Sequence, residues 1–264
     1  MSLRRSYKGI PAGEIKLFLE EKYLQYNTPS FIECDPVSIP HRFTDRRDRE
    51  ISGFLTAAIA WGRRDLILRS SRLMLDLMDN APYEFTMSAG ENELSLLSRF
   101  VHRTYNGSDF ICFIRGLRKV YSNYSGMEDV MLQGMENGGS IREGLSHLRS
   151  VFFSVPHETR SEKHFADVMG GAAGKRLNMF LRWMVRKDDN GVDFGIWEKI
   201  DPSMLYIPLD LHSGNTARHL GLLDRKMNDW KSVEELTEVL REFDPEDPVK
   251  YDFALFGLGV NEKF

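Results

Sequence analysis

Apolar residues recur at helical spacing along almost the whole of this 264-residue chain, and no stretch alternates apolar and polar as a half-buried strand would. That pattern restricts the fold to the all-α class. Ile15, Phe18, Leu19, Tyr23 and Tyr26 fall on one side of a first helix. Pro29, Pro36 and Pro40 mark an irregular connector. The next helix is expected to begin near Arg49 under an Asp48 cap and to run through Ile51, Phe54, Leu55, Ala58 and Ile59 to Trp61-Gly62. It is apolar almost all round, which predicts a central, buried helix. A helix from Asp65 places Leu66, Leu73, Leu77 and Met78 inward, and one opened by Ser108 places Phe110, Phe113, Ile114, Leu117 and Tyr121 there. After a Gly138-Gly139 loop, Ser140-Ile141-Arg142-Glu143 has the capping-box pattern, followed by Leu145, Leu148 and Phe152. Ser161 to Met169 reads as a short helix. Ser232-Val233-Glu234-Glu235 is a second capping box, and a last helix carries Tyr251, Phe253, Ala254, Leu255 and Phe256. About ten helices result.

Composition narrows the classes of function. Hydrophobic residues make up 42% of the chain, enough for a packed core. No run reaches the roughly 18 apolar residues of a membrane span, and the first residues, with Arg4, Arg5 and Lys8, lack the apolar segment of a secretory signal. Two cysteines, Cys34 and Cys112, exclude a cysteine-ligated iron–sulfur cluster and a four-cysteine zinc site within one chain. They also fit a reducing, cytoplasmic compartment. The net charge of −4 gives no global attraction to nucleic acid, so such binding would depend on a local basic face.

Two stretches carry candidate chemistry. Gly170-Gly171-Ala172-Ala173-Gly174-Lys175 is a glycine-rich loop that delivers a lysine to a helix start. In that helix Leu177, Phe180, Leu181 and Met184 form the buried stripe, and Lys175, Arg182 and Arg186 are expected together on the outer face. Ile207-Pro208-Leu209-Asp210-Leu211-His212 delivers an aspartate to the start of a helix that Gly221 closes. A lysine at a helix start, beside a cation and partly buried, is disfavoured as an ammonium and can serve as a Schiff-base nucleophile. The plain alternative is a solvated lysine beside a cap. Asp210 is equally an ordinary N-cap, and capping does not prevent it from facing a substrate. Trp61-Gly62-Arg63-Arg64 pairs an aromatic face with two cations, which suits a nucleotide, or equally a core tryptophan with two surface arginines. Arg115, Arg118 and Lys119 with Tyr121 and Tyr124 can extend a basic surface or form a solvated face. Asp35, His41, Asp48 and Glu50 could gather around a cation, although Asp48 and Glu50 have ordinary work at a helix start. No metal or cofactor is expected.

Pro208-Leu209-Asp210-Leu211-His212, followed by Ala217-Arg218-His219-Leu220-Gly221-Leu222, resembles the catalytic segment of the helix-hairpin-helix DNA glycosylase superfamily, which includes endonuclease III. Gly171 to Lys175 looks like that superfamily's hairpin, and Phe54 to Arg63 like the helix whose end lines the lesion pocket. The 35-residue separation of Lys175 and Asp210 is closer to the archaeal 8-oxoguanine glycosylase branch. With Ala57-Ala58-Ile59-Ala60-Trp61-Gly62-Arg63-Arg64, the run from Gly174 to Arg186 and Tyr251-Asp252-Phe253-Ala254-Leu255-Phe256-Gly257-Leu258-Gly259-Val260, the chain also resembles, over nearly all of residues 14–260, a bacterial family of unknown function, DUF2400. The hairpin departs from the superfamily pattern: Gly-Gly-Ala-Ala-Gly-Lys lacks two usual apolar residues, Leu211 replaces a threonine, and Gly214 falls inside a helix.

The resemblance implies two helical subdomains with a cleft between them, residues 50–185 in the middle and 1–49 with 186–264 formed by both termini. It implies a DNA glycosylase, with or without lyase activity, in which Lys175 attacks the sugar and Asp210 stabilises it. Trp61, Gly62, Arg63, Arg64, Gly171, Gly174, Arg182 and His212 would bind substrate. The partner would be DNA, with RNA as the alternative, and no membrane is involved. A non-catalytic nucleic-acid-binding protein that keeps the fold is the second reading. The lesion and the oligomeric state are not encoded in these motifs.

Overall fold

The computed structural model describes residues 6–136, 139–262 and 264. Arg4, Arg5 and Gly138, named above, lie outside the described residues. Among the described residues there are thirteen α-helices: α1 (Ala12–Tyr26), α2 (Pro29–Cys34), α3 (Arg46–Ala58), α4 (Arg64–Leu77), α5 (Pro82–Ser88), α6 (Glu91–Leu96), α7 (Gly107–Asn123), α8 (Met127–Met135), α9 (Ile141–Phe152), α10 (Lys175–Val185), α11 (Leu211–Leu220), α12 (Trp230–Phe243) and α13 (Tyr251–Gly257). Two tiny antiparallel hairpins, Ser6–Tyr7 with Ile10–Pro11 and Val101–His102 with Tyr105–Asn106, are the described strands. The fold is mostly helical. Among the described residues no helix is long and apolar enough to cross a membrane.

The chain groups into two compact units: residues 1–31, 170–195 and 201–264, and residues 32–169 and 196–200. The glycine loop and α10 therefore belong with the two termini. In the first unit, Leu19 of α1, Ala217 of α11, Val233, Leu236 and Leu240 of α12, and Tyr251, Ala254 and Leu255 of α13 form one apolar core. Each such side chain stabilises by about 1.5–3 kcal/mol when fully buried. The second unit is cored by aromatics. Phe54 packs against Phe113 and Phe152 with centroids 5.9 and 5.6 Å away, and Phe152 against Phe165 at 5.5 Å. Every residue of α3 from Glu50 to Ala58 is buried, as its all-round apolar pattern predicts.

Several expectations shift. Helix α3 starts three residues early, because Asp45 caps it by accepting from the Arg47 and Asp48 amides at 2.8 and 3.4 Å. The Asp48 carboxylate instead accepts from the Tyr83 amide, 2.8 Å away, at the head of α5. In α4 the buried stripe is Ile67, Ser71, Met74 and Leu75, followed by Met78, while Leu66 and Leu73 stay exposed. The helix carries apolar residues on two adjacent stripes, and its own periodicity does not choose between them. Helix α7 is capped by Asn106 in a capping box with Asp109, not by Ser108, and α12 by Asp229, which places Ser232 inside the first turn. The segment expected to be a short helix before the glycine loop is a 3₁₀ helix, Thr159–His164, pinned by Asp109, which accepts from Ser161 Oγ at 2.7 Å and from Arg160 at 2.9 Å.

Candidate functional site

The site grows from two helix starts in the first unit. Asp210 is extended, at φ −118°, and its Oδ1 accepts from the His212 and Ser213 amides at 2.8 and 3.0 Å. Ser213 Oγ in turn accepts from the Asp210 amide at 3.0 Å, and Asn228 Nδ2 donates to the Asp210 carbonyl at 3.0 Å. One carboxylate oxygen is thus fixed by the helix. The other, Oδ2, lies 3.9 Å from Lys175 Nζ. The two ordinary jobs of an aspartate are divided between its two oxygens. Both side chains are partly exposed, Lys175 at 27% and Asp210 at 21%.

The glycine loop delivers Lys175 by backbone geometry. Gly171 and Gly174 have φ of +94° and +62°, the left-handed region in which a side chain would be strained. The Gly171 carbonyl accepts from the Trp230 amide at 3.0 Å, and Ala172 bridges Asp229, which anchors the loop to the head of α12. Asn178 Nδ2 ties back to the Ala173 carbonyl at 3.2 Å. Gly174 is the N-cap residue of α10 and brings no side chain of its own to cap it. Lys175 Nζ also donates to Met179 Sδ at 3.6 Å, one turn along.

Arg182 and Arg186 do not lie on an outer face. They are 3% and 1% exposed, because α10 is buried on every side from Leu177 to Val185. Each is met by carboxylates. Arg182 Nε is 3.3 Å from Asp193 Oδ1, its NH1 pairs with Asp252 of α13, and its guanidinium lies over the Phe253 ring at 4.2 Å. Arg186 pairs with Asp188, with Asp193 at 3.1 Å and with Asp247 at 2.8 Å. Burying a charge is tolerated only with such partners. Burial drives the Asp252 carboxyl up to about 6. The Arg182 cation opposes that rise, the Asp210 charge adds to it and the Lys175 charge opposes it. Asp252 is thus tied by Arg182 to α10, the helix that Lys175 opens.

Sequence reasoning missed Asp252 and Asp193. The signal for the first was available: a lone carboxylate within the otherwise apolar run Tyr251-Asp252-Phe253-Ala254-Leu255 must have a buried partner. The same logic applies to Arg182 between Leu181 and Trp183. His212 is exposed, with its ring 6.2 Å from that of Phe256. Gly214 is buried, and a Cβ there would meet Arg218 NH1 at 2.9 Å and Asn228 Oδ1 at 3.1 Å. Those two side chains close over it, which explains a glycine inside a helix.

Trp61, Gly62, Arg63 and Arg64 lie in the second unit. Trp61 is half-buried, stacked on His164 at 5.8 Å and edge-on to His102 at 5.2 Å. Gly62, at φ +98°, has the Arg103 side chain folded over it. Arg63 is exposed and pairs with Asp65 at 2.7 Å. In the basic, aromatic run on α7, Arg118 and Arg115 are engaged within the protein. Arg118 donates to the Thr86 and Ala89 carbonyls at 2.6 and 2.7 Å, and Arg115 pairs with Glu91 at 2.9 Å. Asp35, His41, Asp48 and Glu50 do not converge. Asp35 caps a turn through the Val37 amide, and buried Glu50 accepts from Tyr121, from Trp197 Nε1 at 2.6 Å and from the Met127 amide at 3.0 Å. Among the described residues no three His, Cys, Asp or Glu side chains are grouped to hold a metal ion. A pocket of about 330 Å³ opens beside Glu50, but the cations lining it are neutralised locally. Arg46 pairs with Glu128 at 2.5 Å, Arg47 with Asp45 at 3.1 Å and Lys199 with Asp129 at 2.8 Å.

No curated protein and no solved structure matches this chain. Residues 35–261 match the family described as "Protein of unknown function (DUF2400)", a span that takes in α3, the glycine loop, Lys175, Asp210 and Asp252. The chain belongs to that family.

Proposed function

We propose that the protein is a DNA glycosylase with lyase activity, with Lys175 as the nucleophile and Asp210 as its partner. The observation that carries this reading is the 3.9 Å approach of Lys175 Nζ to the Asp210 oxygen that does not cap α11. A lysine and a carboxylate converging from two helix starts, both open to solvent, can act on one sugar carbon. In the reaction the amine lone pair forms a bond to C1′, and the electrons of the C1′–N bond leave with the base. Asp210 faces the positive charge that develops on the sugar. The backbone amides of the loop from Gly171 to Gly174 would hold a phosphate of the same strand. The target base would be flipped from the duplex to reach the lysine. Arg182 is buried and paired with Asp193 and Asp252 instead of lying on an outer face.

The test is covalent trapping. Duplexes carrying an abasic site, uracil or 8-oxoguanine are incubated with the protein and reduced with borohydride. A DNA–protein adduct forms on at least one duplex and disappears in Lys175→Gln. Absence of any adduct or base release, with no measurable DNA affinity, overturns the proposal. DNA affinity without an adduct supports instead the non-catalytic nucleic-acid-binding protein that retains the fold.

A further inference from the structure

We propose that the cavity beside Glu50 in the second unit is a binding site for a small organic cation: the ammonium head of a diamine or polyamine seats on the Glu50 carboxylate. Neither Lys175 nor Asp210 takes part, so the site is independent of the proposed function.

Glu50 stands in α3 where the charged run Arg46-Arg47-Asp48-Arg49 gives way to the buried one, and it is 3% exposed. Its Oε1 accepts from Trp197 Nε1 at 2.6 Å, and Oε2 accepts from the Met127 amide at 3.0 Å and from the Tyr121 hydroxyl. The turn before α8 is drawn up against it: a Cβ on Gly126 would lie 3.0 Å from Oε2. All these residues belong to the second unit. The three donors are neutral, and among the described residues no Lys, Arg or His makes an ion pair with Glu50.

The cavity of about 330 Å³ lies within the size range of small-molecule sites, roughly 300–1,000 Å³. Four carboxylates and three cations line it. Arg46 is taken by Glu128, Arg47 by Asp45 and Lys199 by Asp129, and Arg47 also lies over the Tyr83 ring at 4.0 Å. Glu50 is the carboxylate left over. A buried charge without a counter-charge is costly, and here the protein supplies only dipoles. Burial pushes the Glu50 carboxyl above its usual range, against the opposing pull of its three donors. A ligand ammonium supplies the missing charge in a recess of low dielectric, where the attraction is strong. Oε1 takes one hydrogen bond from the protein, whereas a carboxylate oxygen has two acceptor sites. Tyr121, also in the lining, adds an aromatic ring for a cation. The outer pair is exposed, Lys199 at 63% and Asp129 at 29%, and such pairs contribute little, so a second ammonium exchanges for Lys199 at Asp129. That favours a diamine over a monoamine. Among the described residues no three His, Cys, Asp or Glu side chains group to hold a metal ion, so the cation that fits is an organic one.

The test is calorimetric titration of the full chain at about 0.15 M salt, where exposed charges are screened beyond about 8 Å. The probes are putrescine, spermidine, the neutral isostere 1,4-butanediol and inorganic phosphate. Putrescine or spermidine binds saturably at one site per chain, and butanediol and phosphate do not bind. Glu50→Gln keeps the shape of the side chain and removes its charge, and amine affinity falls about tenfold or more. Ser125→Arg sets a competing cation at the mouth and lowers affinity to a similar extent. Ser125 is exposed, so this variant decides the matter if Glu50→Gln does not fold. Absence of saturable amine binding overturns the assignment. So does equal binding of butanediol, binding of phosphate in place of the amines, or wild-type amine affinity in Ser125→Arg and in folded Glu50→Gln. No DNA enters the titration, so its outcome and that of the borohydride trapping are read separately.

Discussion

Arg182→Met removes the cation that two buried carboxylates share while keeping most of the side chain's packing volume. Asp193 is fully buried and Asp252 nearly so, and Arg182 itself is 4% exposed at its side chain. Breaking a buried pair by deleting one partner costs about 3–5 kcal/mol, because the other charge stays desolvated. The loss must also depend on pH. In the folded wild type Asp252 titrates near 6, above its ordinary 3.8, since burial outweighs its cation. A carboxyl raised in this way favours the fold fully below pH 3.8, and the contribution is lost as pH rises through about 6. At about 1.4 kcal/mol per pH unit this amounts to about 3 kcal/mol. Without Arg182 the folded carboxyl keeps its proton to still higher pH, so stability continues to fall where the wild type has levelled off. Urea denaturation at pH 5 and pH 8 is the assay. The stability gap between the two proteins widens at pH 8, and adding Asp252→Asn recovers part of it, since the two sites are coupled. A gap below about 1 kcal/mol, or one of equal size at both pH values, refutes the claim that Arg182 neutralises buried carboxylates.

Two further predictions concern the scaffold. Asp45→Ala removes the N-cap of α3 and lowers stability by about 1 kcal/mol at pH 7 in urea melts. Its hydrogen bond to Arg47 holds the Asp45 carboxyl below its usual range, so this contribution is present above about pH 4 and fades as the solution is acidified. Gly116→Ala in α7 drives a Cβ to 2.7 Å from the fully buried Phe152 ring, and overpacking of that kind costs about 1–3 kcal/mol. A thermal melt unchanged from wild type would show that the aromatic core can yield.

Period and capping were legible in the sequence because both are local. Ile141, Leu145, Leu148 and Phe152 lie buried along α9 behind the Ser140–Glu143 capping box, as their spacing requires. Asp210 caps α11 and Gly221 closes it in the left-handed region, because a helix start needs an acceptor and its end tolerates a positive φ. Lys175 and Asp210 were recognisable as candidates from helix starts and chain order. Their 3.9 Å approach was not, since it depends on how α10 and α11 pack. The face of α4 that is buried, and the helix that Asp48 serves, were likewise fixed by neighbours distant in the chain. Arg182 marks the boundary most clearly. By helical geometry alone it shares a face with Lys175, and a cation on a helix is ordinarily solvated. Only the tertiary structure supplies Asp193 and Asp252, and with them the compensating charge that lets an arginine be buried beside the candidate site.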